Sequence, residues 1–187
     1  MSPSRREPAD EAVRAWLAAQ RDAPLSVSAG LSLDGADRGW SVDEASILLG
    51  TGGDVFRRAC DALRDWRQFP AGWTRIHPAR APLEAGVEVA IAARVLGLWW
   101  LNAARIVEAI DEPARFGLVY ATLPSHAERG LERFVVERDG EAVRYTLRAV
   151  SRPRHPLARL GYPVTRLYQR RFRRDSLAGM RRAVAEG

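Results

Sequence analysis

Between Val87 and Val95 apolar and polar side chains alternate strictly: Val87, Val89, Ile91, Ala93 and Val95 fall on one face, Glu88 and Arg94 on the other. Period-two alternation predicts a strand with one buried face. The same logic reads Trp40–Gly50 as a first strand. It continues through Asn102–Arg115, introduced by the aromatic pair Trp99-Trp100, and through Arg115–Leu123. Leu131–Pro153 reads as a hairpin turning at Asp139-Gly140, a dipeptide suited to tight turns. In its second arm Val143, Tyr145, Leu147 and Ala149 share a face, opposite Arg144, Thr146 and Arg148.

Three stretches change period. Val13, Trp16, Leu17 and Gln20 recur at i, i+3, i+4, i+7 between Pro8 and Pro24, predicting a short amphipathic helix. Phe56, Ala59, Leu63 and Trp66 form the stripe of a second helix, widened by Val55 and Ala62. The glycines before it permit a sharp reversal, and Asp54 is placed to cap its first turn. After Pro153 and Pro156 a long helix is predicted from about Val164 to Val184, with Val164, Tyr168, Phe172 and Met180 on its apolar side.

The order is strand, helix, several antiparallel strands, long terminal helix. The fold class is therefore α+β. A curved antiparallel sheet wrapped around the C-terminal helix, a helix-grip arrangement with one helix between the first and second strands, satisfies it. Two units are expected: residues 1–23 as an N-terminal extension carrying the short helix, and 24–187 as a single domain. Such an architecture leaves room for an apolar pocket between sheet and helix.

Composition removes several chemistries. All 29 basic residues are arginine, so neither a Schiff-base lysine nor a lysine-dependent phosphate loop is available. One cysteine, Cys60, excludes an intramolecular disulfide and a cysteine zinc site. With no signal-peptide core and no apolar run of membrane-spanning length, the expected home is the cytoplasm. The net charge of +6 is uneven: Arg152 to Arg182 holds ten arginines against one acid, Asp175. That segment raises an interaction module docking nucleic acid or an acidic partner. A solvated helix face is its ordinary alternative.

Gly50, Gly52 and Gly53 do not make a dinucleotide fingerprint, and Asp54 would repel a phosphate. His77, His126 and His155 lack metal-ligand spacing, and Ser151 lacks a nucleophile-elbow context, so neither a metal nor a cofactor is expected. The stretch "FGLVYATLPSHAERGLERF" is the richest. If Phe134 and Val136 point inward, Glu132 does too. Paired with His126 across the corner, it would make an acid–base dyad. Alternatively, Glu132 accepts turn N–H groups or pairs with Arg94 or Arg105, and His126 caps the loop.

The chain also resembles a bacterial and plant family, the domain-of-unknown-function family nineteen-ninety, over roughly Leu25 to Val184. The resemblance rests on "LLGTGGDVF…ALRDWRQFPAGW", "DEPARFGLVYATLPSHAERGLERF", "VSRP" and "LGYPVTRLYQ", in order. The family shows Gly-Thr-Leu-x-Gly-His, then Gly-Glu-Glu-x-Phe. Thr122, His126, Gly130, Glu132 and Phe134 match, whereas Ala121, Ser125 and Leu131 depart. The resemblance implies a helix-grip (START/Bet v 1-like) fold and brings no activity with it.

The leading expectation is a domain binding a small apolar molecule, with Phe116, Tyr120, Thr122, Phe134 and Tyr145 as wall residues and His126 and Glu132 as polar groups. A cyclase- or isomerase-type enzyme would use the same pocket. Docking through the arginine-rich helix is the other alternative.

Overall fold

The computed structural model describes residues 3–28, 30–34, 39–154 and 161–186. Seven strands form one antiparallel sheet: β1 (Ser41–Thr51), β2 (Thr74–His77), β3 (Glu88–Val95), β4 (Leu98–Glu112), β5 (Arg115–Thr122), β6 (Glu128–Asp139) and β7 (Ala142–Pro153). Among the described residues three helices accompany them: α1 (Asp10–Ala18), α2 (Gly53–Arg64) and α3 (Tyr162–Glu186). The spatial order is β1-β7-β6-β5-β4-β3-β2. Strands β2 to β7 are a plain meander, and β1 returns to pair with β7, so the first and second strands are the two edges. The sheet curves around α3, a helix-grip fold.

Six of these strands are those the alternation predicts, and β2 is the addition. Its four residues carry too short a pattern to register by period, and it exists because Thr74–His77 finds Ala90–Ala93 of β3 as a partner. Register shifts between Leu48 and Gly50 in β1 and between Ile106 and Glu108 in β4 bend those strands locally. The β6–β7 hairpin turns at Asp139-Gly140, with Asp139 opposite Ala142.

Two local expectations are corrected. Asp54 makes no side-chain cap on α2. Gly52, at φ 90°, occupies the N-cap, and Asp54 instead pairs with Arg57 at 2.7 Å within the first turn. Trp66 lies beyond the end of α2 at φ 54°, yet it is buried, with its indole N–H donating to the Ala81 carbonyl at 2.8 Å. Its apolar bulk belongs to the core although its backbone has left the helix. His155 and Pro156 lie outside the described residues.

The sheet's two faces are covered differently. On the inner face, α2 and α3 close over Leu118, Phe134, Tyr145 and Leu147. Gly179 lets α3 approach the turn that follows α2, since a Cβ there would stand 2.7 Å from the Arg67 carbonyl oxygen. On the outer face Val13 and Leu17 of α1 seat on Ala90, Ala92, Leu101 and Ala103. Beside them Leu33 packs on Val119 and Val150. Successive residues point to opposite faces, so Trp99 goes under α1 while Trp100 goes inward.

Candidate functional site

Three phenylalanine rings, with Tyr120 beside them, close one end of the inner face. Phe69 lies 5.6 Å from Phe134 and 5.3 Å from Phe172, ring centre to ring centre, and Tyr120 lies 5.7 Å from Phe134. Beyond this plug Ala93, Gly130 and Ala149 stand among the inward positions and leave space in front of them. The result is a cavity of about 450 Å³ between the sheet and the N-terminal half of α3. Ile91, Val95 and Trp100 form its sheet side, and Trp73, Tyr168 and Phe172 the side opposite. Trp73 is held in place by Tyr168 and Phe172 at 5.7 and 6.4 Å, and by an N–H bond to Asp175 at 3.2 Å.

The polar groups gather on β1, β6 and α3. Glu128 and Glu132 alternate in phase with Phe134 on β6, and Asp43 is in phase with Ile47 on β1, so all three carboxyls face inward. Arg166, Gln169 and Arg173 recur at i, i+3, i+7 on α3 and meet them. Asp43 takes both guanidiniums: Arg173 at 2.7 Å, and Arg166 through both of its terminal nitrogens. Gln169 donates to both oxygens of Glu128 at 2.6 and 2.8 Å.

Glu132 is different. Its partner is the hydroxyl of Tyr120, directly opposite it in the β5–β6 register, which donates to Oε2. Among the described residues it forms no ion pair. Burial pushes its carboxyl up to about 7, against the pull of the Tyr120 bond, and the nearby Glu128 and Asp43 carboxylates add to the rise. Burial likewise holds the Tyr120 hydroxyl well above the usual phenol range. Glu128 is also raised by burial, which outweighs its bond to Gln169.

The corner between β5 and β6 is a hydrogen-bonded turn. The His126 N–H donates to the Leu123 carbonyl at 2.9 Å, and its Nδ1 accepts the Glu128 N–H at 3.0 Å. Burial lowers the His126 ring to about 4, which keeps it neutral and suited to accepting that bond. Asn102 clamps the same corner by accepting the Ala127 N–H at 3.0 Å. Thr122 accepts the Gly130 N–H at 2.9 Å and meets the Ser26 hydroxyl.

Tyr120, Thr122, His126 and Glu132 therefore line one cavity. His126 and Glu132 are brought to the same wall but not to each other: the ring is tied to Glu128 and the carboxyl to Tyr120. Arg105, a candidate partner for Glu132, binds Glu88 at 2.6 Å instead. Phe116, Phe134 and Tyr145 stand in the core beside the cavity and are not among its lining residues. Phe116 lies under the Arg64 guanidinium, and the Tyr145 hydroxyl meets Ser176 at 2.9 Å. Asp43, Glu128, Gln169 and Arg173 were not foreseen from sequence. Their signal was present, because each falls in phase with the inward stripe of its own element.

Much of the arginine excess is spent within the fold. Besides Arg166 and Arg173, Arg171 stacks on Trp73 at 4.6 Å, and Arg171 and Arg174 both pair with Asp175. Among the described residues no three His, Cys, Asp or Glu side chains stand close enough to hold a metal ion. Nor is any described helix long and apolar enough to cross a membrane.

The chain belongs to the family described as a domain of unknown function, DUF1990, whose model matches residues 25–179. It is 38% identical over 158 residues to a UPF0548 protein of Dictyostelium discoideum, covering 78% of this chain and 73% of that one. A UPF0548 protein of Deinococcus radiodurans is 36% identical over 179 residues, covering 89% and 90%. Among solved structures the fold is similar to the Zhui aromatase/cyclase from Streptomyces sp. R1128, with a TM-score of 0.58 at 12% identity over 78% of this chain and 94% of that one. It is also similar to a protein of Thermus thermophilus, with a TM-score of 0.56 at 14% identity over 78% and 98%. At these identities the likeness to the solved structures is one of fold.

Proposed function

We propose that this protein binds a small, largely apolar molecule between its sheet and its C-terminal helix, with Tyr120 and Glu132 as the polar contact that orients it. The observation that carries this reading is the cavity itself: about 450 Å³, walled by Trp73, Trp100, Tyr168 and Phe172, with a few polar groups, Tyr120 and Glu132 among them, set into the apolar lining. That volume and that distribution suit small-molecule sites. The helix-grip similarity to an aromatase/cyclase agrees with a pocket at this place. Docking through the arginine helix has less support, because Arg166, Arg171, Arg173 and Arg174 already have partners within the chain.

The test is native mass spectrometry of the protein purified gently from its own host. A reproducible adduct that is lost in Ala93→Phe, which places a ring inside the cavity, supports the reading. Bare chain in both proteins, together with no change in Trp73 and Trp100 fluorescence on titrating apolar aromatic compounds, would count against it.

A further inference from the structure

The acids of the cavity fall into two kinds. Asp43 is neutralised by two arginines and Glu128 is held by Gln169, so both serve to anchor α3. Glu132 anchors nothing on α3. It is fixed from its own sheet by the Tyr120 hydroxyl, and it lines an apolar space. A carboxyl that is oriented but not neutralised, beside a volume large enough for a ligand, has the arrangement of a general base. The groups around it are Tyr120 on β5, Glu128 on its own strand, Tyr145 on β7, Asp43 on β1, Arg173 on α3, and His126 at the corner.

We propose that this cavity is a proton-transfer site acting on an apolar β,γ-unsaturated carbonyl compound, with Glu132 as the base and Tyr120 as its positioning residue. This rests on the pocket reading above and adds chemistry to it. The Glu132 carboxylate takes a proton from the carbon next to the carbonyl. The C–H electron pair becomes a C=C bond, and the carbonyl π pair moves onto oxygen to give an enolate. With a C=C bond between the β and γ carbons the enolate is a dienolate. The oxygen pair re-forms C=O, the enolate C=C pair moves to the α–β bond, and the former β–γ pair takes the same proton back from Glu132 at the γ carbon. The outcome is an isomer, with no oxidant, reductant or water consumed. Arg173, the one arginine among the described lining residues, supplies positive charge for the enolate oxygen. Burial brings the Glu132 carboxyl to about 7, so it is available in both protonation states near neutrality.

The experiment uses 5-nitrobenzisoxazole, an aromatic compound that reports on a base in an apolar pocket. Removal of its ring C–H proton forms a nitrile and breaks the N–O bond, releasing a coloured phenolate. Its occupancy is followed separately through quenching of tryptophan fluorescence. The expected result is a rate above buffer that rises with pH through a midpoint near 7 and levels off well above it, where Glu132 is fully ionised. Glu132→Gln should lower it roughly a hundredfold. Tyr120→Phe should keep turnover but move the midpoint to higher pH, because the Tyr120 bond is what holds the carboxyl down. Occupancy with equal rates in wild type and Glu132→Gln would overturn the proton-transfer role and leave the pocket standing. So would a wild-type rate that does not titrate, which needs no variant to fold. No occupancy and no turnover would remove the pocket and this chemistry together.

Discussion

The two faces of the same sheet meet their helices in opposite ways. Outside, β3 and β4 present Ala90, Ala92 and Ala103, all without exposed surface, and α1 sits close enough for Val13 to be fully enclosed. Small residues on the sheet, met by branched ones on the helix, fill the space. Inside, the small residues Ala93 and Ala149 line the cavity instead, beside the Phe69–Phe134–Phe172 plug that stands between α3 and the sheet. Small side chains make a tight interface where the opposing element can approach, and a cavity where large neighbours keep it away. What a residue's size does is decided by what stands opposite.

That contrast can be broken most forcefully at the plug. Phe134 has no exposed surface and touches Phe69, Tyr120 and Phe172, so Phe134→Ala should cost about 3–5 kcal/mol in denaturant unfolding. A cost under about 1 kcal/mol would mean that this end is as loosely filled as the cavity.

Next comes the polar wall, which the outer face lacks. The native state holds the Glu132 proton up to about 7, while the unfolded chain releases it near 4.5, so this group makes stability fall as pH rises between those values. His126 works the other way. The native ring takes a proton only near 4 and the unfolded ring near 6.5, so stability rises with pH across that window. Each effect is on the order of 3 kcal/mol, and between about 4.5 and 6.5 they oppose one another. Glu128, also raised, adds to the falling side, and His77, also lowered, adds to the rising side. Urea unfolding against pH should therefore be nearly flat for the wild type. It should slope upward for Glu132→Gln and downward for His126→Asn. Identical slopes in the two variants would show that neither group is buried as described.

On the outer face Leu17→Ala should cost about 2 kcal/mol and leave binding in the cavity unchanged, since α1 is a single short helix at the edge of the core. Altered cavity binding would mean that the two faces are coupled through the sheet. The smallest change is expected from adding bulk inside. Ala93→Phe enters open space and should alter stability by about 1 kcal/mol or less, whereas overpacking a filled core costs more.

Alternation put Val89 and Ile91 on one face, the Asp139-Gly140 dipeptide marked the turn from β6 to β7, and the helical period foretold α3 from about Val164 to Val184. Backbone geometry ties side-chain direction to position along a strand or helix. Alternation also carried Glu132 to the inner face, as the partner in phase with Phe134. The departures are local. Asp54 had an arginine three residues on as a competing partner, and β2 was too short to show a period.

What the sequence determined by itself was therefore which residues share a face, and with that the α+β order and the helix grip. Only the tertiary structure decided who stands opposite: that Tyr120 rather than His126 holds Glu132, that Arg166 and Arg173 close on Asp43, and that Phe134 and Tyr145 fill space while Trp100 borders it. Periodicity is a property of one strand or helix, whereas a partner is set by the register and distance between two. No pattern along a single chain segment contains that distance.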